Sequence, residues 1–361
     1  MSRPFGHPLR LGVPEPSLFP NSILYFIVGG SSPFGFENPN EQDAIQMRAV
    51  QFDSYGPPSV LQLRNTIEPR PAADQVLIDV HAASLNPIDW KLRAGRIAAD
   101  VPLTFPATTG RDGAGVVRAA GNSIDPALVG QRVLFFAPRG QGTWADQIAL
   151  PIGNLAVLPN EMSFADAAAL PLAATSAWIS LVDTANLSKG TRILVHAGAG
   201  GVGIFAIQIA RSRGADVFAT CSQRNADFVA SLGAQAIAYD QGAFETKISG
   251  VDVVLDTIGG DVHRRSYQVL KRGGLMVCLN AEPFIDRSRE FDVTVKLAPI
   301  FPKREILEAL LQMAGTGELR AVVHKLLPIT DFARAHELSE TGHMRGKVVM
   351  QIRHAEGTLV A

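Results

Sequence analysis

The segment Ala197-Gly198-Ala199-Gly200-Gly201-Val202-Gly203 places Gly198, Gly200 and Gly203 at the spacing of a dinucleotide-binding turn. Without Cβ atoms the backbone can turn tightly and approach a pyrophosphate, and a helix that starts here adds the positive end of its dipole. Context makes the motif more specific than a glycine-rich turn. Arg192 to His196 reads as a strand buried on both faces, and Val202, Phe205, Ala206, Ile209 and Ala210 recur at helical intervals before a stop at Gly214. Gly201 and Val202 lie in the same turn and are expected to face the coenzyme with the three glycines.

The end of the next strand selects the coenzyme. An NAD site usually carries an acidic residue about twenty positions on, where it binds both ribose hydroxyls. Here the stretch is Thr220-Cys221-Ser222-Gln223-Arg224-Asn225, and no carboxylate appears before Asp227. Ser222 can hydrogen-bond and Arg224 can pair with a 2′-phosphate, so NADPH (NADP) is expected over NADH. A solvated surface arginine is the alternative reading of Arg224.

The chain of 361 residues is long enough for two cores and a cleft between them. Its 33 Lys and Arg balance 34 Asp and Glu, which argues against nucleic acid or an anionic membrane as a partner and favours a small-molecule substrate. Cys221 and Cys278 are the only cysteines, too few for a disulfide framework or a four-thiolate zinc site. A reducing, cytoplasmic setting is therefore expected. Residues 1–46 are Pro-rich, and the apolar run from Ile23 to Val28 is too short to span a bilayer. The expectation is a disordered extension, or a true start at Met47.

These groups need a scaffold. From Met47 to about Pro159, short apolar runs at Gln75 to His81, Gly115 to Ala119, Arg132 to Phe136 and Gln147 to Leu150 are punctuated by Gly and Pro, as in a barrel-like β domain. The Ala- and Leu-rich stretch Ala165 to Ala185 is expected to be helical. Further strands are expected at Asp216 to Thr220, Ala236 to Tyr239, Val251 to Asp256, Leu275 to Leu279 and Phe291 to Leu297, in alternation with helices. That rhythm predicts an α/β fold with a doubly wound parallel sheet. Helices at Lys303 to Ala314 and Phe332 to Leu338, with strands at Val322 to Leu326 and Lys347 to Ile352, are expected to return to the first domain.

Four motifs in order carry a resemblance: Ser84-Leu85-Asn86-Pro87-Ile88-Asp89-Trp90-Lys91-Leu92-Arg93-Ala94-Gly95, the glycine cluster, Asp256-Thr257-Ile258-Gly259-Gly260 and Arg345-Gly346-Lys347-Val348-Val349. From Met47 to Ile352 the chain resembles the zeta-crystallin-like quinone oxidoreductase branch of the medium-chain dehydrogenase/reductase superfamily. The resemblance implies a GroES-like catalytic domain, 47–165 with 300–352, around a Rossmann NADP-binding domain, 166–299, commonly as a homodimer. It also implies that Thr175 lies near the nicotinamide, Tyr239 near the adenosine phosphate, Ile258 and Gly259 under the ring, and Lys347 among the coenzyme-facing residues.

Zinc alcohol dehydrogenases of that superfamily are similar too, but Asn86 stands where their catalytic cysteine would be. Arg111 replaces the usual histidine and Asp112 the neighbouring glutamate. An amide and a guanidinium are not normal zinc ligands, so no catalytic metal is expected. Without a Lewis acid, conjugated acceptors are easier to reduce than isolated ketones, because charge spreads into an enolate or hydroquinone. Quinones or α,β-unsaturated carbonyl compounds are thus the expected substrates. Asn86 is the candidate to polarise the carbonyl or orient the nicotinamide, or is simply an Asn-Pro turn residue. Lys91 stands where many quinone reductases have tyrosine, and is a candidate proton donor or a solvated lysine. Alternative readings are an enoyl thioester reductase and a non-catalytic NADPH-binding protein.

Overall fold

The run Arg192–Val195 has no polar face to offer solvent beyond its first residue, and it sits at the middle of a six-stranded parallel sheet with Ile193, Leu194 and Val195 fully buried. The structure, a computed structural model, describes residues 45–279, 284–354 and 357–360. The expected disorder of the N-terminal extension falls almost wholly on residues 1–44, outside the described residues. The first strand starts at Gln46, one residue ahead of Met47, and Gln46 pairs with Ile67.

In chain order the parallel sheet takes Arg192–Val195, Asp216–Cys221, Gln235–Ala238, Val251–Asp256, Leu270–Cys278 and Thr294–Leu297. In space they lie third, second, first, fourth, fifth and sixth, the doubly wound order. The order reverses between Arg192–Val195 and Val251–Asp256, so the crevice opens beyond their carboxyl ends. The helix Gly203–Ser212 follows the glycine turn, buries its first eight residues, and leads to Gly214 at φ 74°.

The other region is organised on the long strand Gln75–Leu85, which pairs antiparallel with Asp112–Ala120, Gln147–Pro151 and Lys347–Gln351. The C-terminal strand therefore closes back on the first part of the chain, as its pattern requires. Val323–Pro328 extends the same sheet, and Gln46–Phe52, Gln62–Ile67 and Ala107–Thr108 form a smaller one. Val76, Ile78, Val80, Phe135, Leu150 and Val348 fill the core between them.

Two expectations need refinement. The stretch Ala165 to Ala185 is not one helix but Phe164–Ala168, Pro171–Trp178 and a wide π turn over Ile179–Thr184; Pro171 opens the second helix, where its missing N–H costs nothing. The strand expected at Phe291 to Leu297 is confined to Thr294–Leu297, because Ser288–Phe291 forms a helical turn that ends on Asp292 in the left-handed region, φ 53°.

The two sheets share a core: Ala82, Leu134 and Phe136 pack in one cluster with Ala173, Ile193 and Ile204. At the glycine turn the link is backbone to backbone. Gly346 N donates to Ala199 O at 2.8 Å, and Gly200 and Gly346 form a parallel bridge. Among the described residues, no helix is long and apolar enough to cross a membrane.

Candidate active site

The glycine turn explains its own composition. A Cβ on Gly203 would lie 2.1 Å from Ala197 O, and one on Gly198 would lie 2.7 Å from the Ala219 side chain. Gly198 N donates to Thr220 O at 2.8 Å, so the turn is fastened to the second strand of the sheet. Gly201 abuts the Lys347 stem, where an added Cβ would come within 3.1 Å. Val202 is the residue ahead of the helix that begins at Gly203.

Beyond the turn opens a cavity of about 340 Å³. Of the residues selected from sequence, Gly200, Ser222, Arg224, Tyr239 and Ile258 line it. No acidic side chain of the described residues does; Arg265, whose Nε and Nη2 donate to Glu245, and His343 are lining residues that the sequence did not single out. Arg224 Nη2 lies 3.4 Å from His343 O, and Arg345 Nε donates to Asn225 Oδ1 at 3.0 Å. Tyr239 starts a short 3-10 turn rather than ending the strand, and its ring is half exposed.

Gly259, with φ 80°, is held by Asp256. Its N–H and that of Ile258 donate to Asp256 Oδ1 at 2.8 and 2.9 Å. Burial works against the Asp256 charge, but hydrogen bonds from His263, Gly259 and Ile258 outweigh it and hold the carboxyl below the usual range. His196, at the end of the central strand, is pushed down to about 4 by burial and stays neutral between Thr220 and Ser266.

A second group of chosen residues lies together but does not line this cavity. Asn86 is 2 % exposed. Its Nδ2 donates to Asp112 Oδ1 at 2.9 Å, and its Oδ1 accepts from the ammonium of Lys347. Lys347 also donates to Leu85 O at 3.1 Å and stands 3.9 Å from Asp112 Oδ2. Ser84 Oγ donates to Asp112 Oδ1 at 2.7 Å, and Leu172 N to Asp112 Oδ2 at 3.1 Å. Asp112 is thus a hub where sequence reasoning saw only a replaced glutamate. Burial drives the Lys347 ammonium below its ordinary range, against the pull of Asp112 and Asp89.

Asn86 N donates to Asp89 Oδ2 at 2.7 Å, which orders the start of the helix Pro87–Arg93. Burial lifts Asp89 to about 7. Lys91 lies in the same helix and is half-buried. Arg111 is buried over the Phe136 ring, donates to Ala137 O at 3.1 Å, and is lowered to about 10 by burial. Thr175 is fully buried one helical turn beyond Leu172, and among the described residues its Oγ1 has no hydrogen-bond partner. An orphaned hydroxyl, a glycine cradle that a Cβ would fill, and an acid-free cavity together suit a phosphate-bearing dinucleotide.

Comparison with known proteins bears on both regions. The family model described as "Alcohol dehydrogenase GroES-like domain" matches residues 72–160, and that described as "Zinc-binding dehydrogenase" matches residues 232–350. A "Quinone-oxidoreductase homolog, chloroplastic" of Spinacia oleracea is 32% identical over 324 residues, covering 84% of this chain and 98% of its own length. An "NADPH-dependent alkenal/one oxidoreductase, chloroplastic" of Arabidopsis thaliana is 36% identical over 319 residues, covering 84% of this chain and 79% of its own. The solved quinone oxidoreductase of Coxiella burnetii superposes with a TM-score of 0.80 at 34% identity, over 86% of this chain and all of that one.

Proposed function

The chain belongs to the quinone oxidoreductase branch of the medium-chain dehydrogenase/reductase superfamily, and from that premise we propose that it is an NADPH-dependent, zinc-independent reductase of quinones or α,β-unsaturated carbonyl compounds. The observation that carries the coenzyme choice is the cavity beside the glycine turn, lined by Ser222 and Arg224 and by no carboxylate of the described residues. Arg224 offers a forked donor to a 2′-phosphate, and a facing acid would have repelled one.

NADPH, when bound, supplies the hydride. In this reading Gly198 to Gly203 would hold the pyrophosphate, Tyr239 the adenosine phosphate, and Ile258 and Gly259 the nicotinamide. Thr175 gives its unpartnered hydroxyl to the carboxamide end. Lys347 and Asp112 hold the Asn86 amide in one orientation, in which it would orient the carbonyl acceptor, and Lys91 would serve as the proton donor to the acceptor's oxygen. Arg111, whose guanidinium carries no lone pair for a metal, leaves this end without a zinc site of the alcohol dehydrogenase kind.

The proposal includes the division of the chain into a catalytic unit, 47–165 with 300–352, and a coenzyme unit, 166–299. It also includes a homodimeric assembly and a cytoplasmic setting, as the resemblance and the cysteine content led us to expect.

The test is NADPH oxidation with a panel of quinones, enones and enoyl thioesters, run with and without a strong chelator. Turnover of quinones or enones, unchanged by the chelator, is the expected result. Preference for enoyl thioesters would replace the substrate class, NADPH binding with no turnover would favour a binding protein, and turnover lost to the chelator with the melting temperature unchanged would overturn the zinc-free chemistry.

A further inference from the structure

Two strands of the parallel sheet end side by side on residues that can ligate a metal. Asp256 closes Val251–Asp256, Cys278 closes Leu270–Cys278, and the two are paired in the sheet register. His263, on the helix Gly260–Ser266, faces both: its Nδ1 lies 2.9 Å from Asp256 Oδ2 and 3.7 Å from Cys278 Sγ. All three are buried, and their ligand atoms lie within 4.8 Å of one another. We propose that Asp256 Oδ2, His263 Nδ1 and Cys278 Sγ form a binding site for one zinc ion.

The spacing suits the ion. Zinc bonds of ordinary length in a tetrahedron place neighbouring ligand atoms about 3.3 to 3.6 Å apart. Two of the three separations, 2.9 and 3.7 Å, bracket that range, and the third lies within 4.8 Å, so side-chain adjustment is enough to close the three atoms round one ion. Thiolate, imidazole and carboxylate together match a borderline-soft divalent ion better than magnesium or calcium, which take oxygen. Water would occupy the fourth position of the tetrahedron.

The ring's other nitrogen is prepared for this role. A metal-bound histidine is usually fixed by a hydrogen bond from its far N–H. His263 Nε2 lies 3.1 Å from Tyr267 Oη; that oxygen also accepts from Arg287 N at 3.3 Å and lies 3.5 Å from Asp286 Oδ1. With Nδ1 on the metal, the Nε2 proton goes to Tyr267 and the phenol hydrogen to Asp286. Asp256 keeps its bonds to Ile258 and Gly259 through Oδ1, so Oδ2 can turn to an ion without releasing the loop. On binding, the Cys278 thiol proton leaves to solvent and the thiolate takes its place.

The same geometry argues against a nucleophilic relay. A Cys-His-Asp triad needs sulfur and carboxylate on opposite ring nitrogens, so that one proton can pass across the imidazole. Here both converge on Nδ1. Three donor atoms gathered about one point are what a metal requires. The site is separate from Asn86 and Arg111, which flank strands of the other sheet at Leu85 and Asp112, so the proposal stands whatever acceptor the enzyme uses.

Full-length protein, stripped with a chelator and dialysed, should take up one Zn²⁺ per chain and one Co²⁺ with a thiolate-to-cobalt charge-transfer absorption. Cys278→Ser should abolish that absorption and weaken Zn²⁺ binding by about tenfold or more. Cys221→Ala should change neither. His263→Gln should weaken Zn²⁺ binding similarly, and it carries the variant test if Cys278→Ser does not fold. Zn²⁺ should raise the melting temperature of the wild type and not of folded Cys278→Ser or His263→Gln. Absence of the cobalt absorption in the wild type, or equal Zn²⁺ affinity in the wild type and a folded variant, would overturn the site.

Discussion

The ammonium of Lys347 donates to Oδ1 of Asn86 across 261 residues of sequence, and this bond, with the one from Nδ2 to Asp112, fixes which way the buried amide points. Lys347→Met should therefore do more than remove a charge. It leaves the Asp112 carboxylate buried without its cation, a loss of about 3 to 5 kcal/mol by analogy with other broken buried pairs. Chemical denaturation of Lys347→Met should show this loss, and Lys347→Met with Asp112→Asn should recover part of it. No recovery would mean that the lysine acts through packing of its stem against Gly201.

Asp89 gives a pH dependence of definite sign. Burial lifts it from 3.8 to about 7, so between those values the native chain holds a proton that the unfolded chain has lost. Its contribution to stability is full below the unfolded value and disappears as pH rises through about 7. Burial lowers His81 and His196 to about 4, and they act oppositely, with stability present above pH 6.5 and lost as pH falls toward 4. Asp89→Asn isolates the first effect. The stability of wild type minus variant should fall with rising pH across the window from about 4 to 7, by up to about 1.4 kcal/mol per pH unit. A flat difference would show that Asp89 is ionised throughout.

Arg224→Ala tests the coenzyme preference. Charge-assisted hydrogen bonds contribute about 1.5 to 3 kcal/mol, or roughly 10- to 150-fold in affinity. The Michaelis constant for NADPH should rise within that range while that for NADH stays nearly unchanged. Equal weakening of both would assign Arg224 to packing against the His343 loop instead.

Gly203→Ala tests the turn. Its methyl group would sit 2.1 Å from Ala197 O, a contact that only backbone movement can relieve. Coenzyme affinity, measured by NADPH fluorescence titration, should fall about tenfold or more, because the amides no longer converge on one point. Gly153→Ala, where a Cβ meets nothing within 4 Å, is the control and should bind as the wild type does.

What was legible in the sequence follows from how each feature is encoded. The glycine turn, its strand and its helix are written in adjacent residues, and the sheet emerges in the expected doubly wound order. The absence of an acid after the second strand is equally local. The Lys347–Asn86–Asp112 network is not, since its members come from three distant segments joined only when the last strand pairs with Gln75–Leu85. Asp256, His263 and Cys278 were hidden for a related reason: the residues are near in sequence, but only the parallel register sets Asp256 opposite Cys278. Residue type suggested none of these partners without the fold.

The bond from Gly346 N to Ala199 O gives the enzyme a seam, where the turn that would face the coenzyme and the final strand of the other sheet share one ladder rung. Any separation of the two sheets at this point would have to break that bond, so the Gly346 amide should be among the slowest to exchange with solvent deuterium.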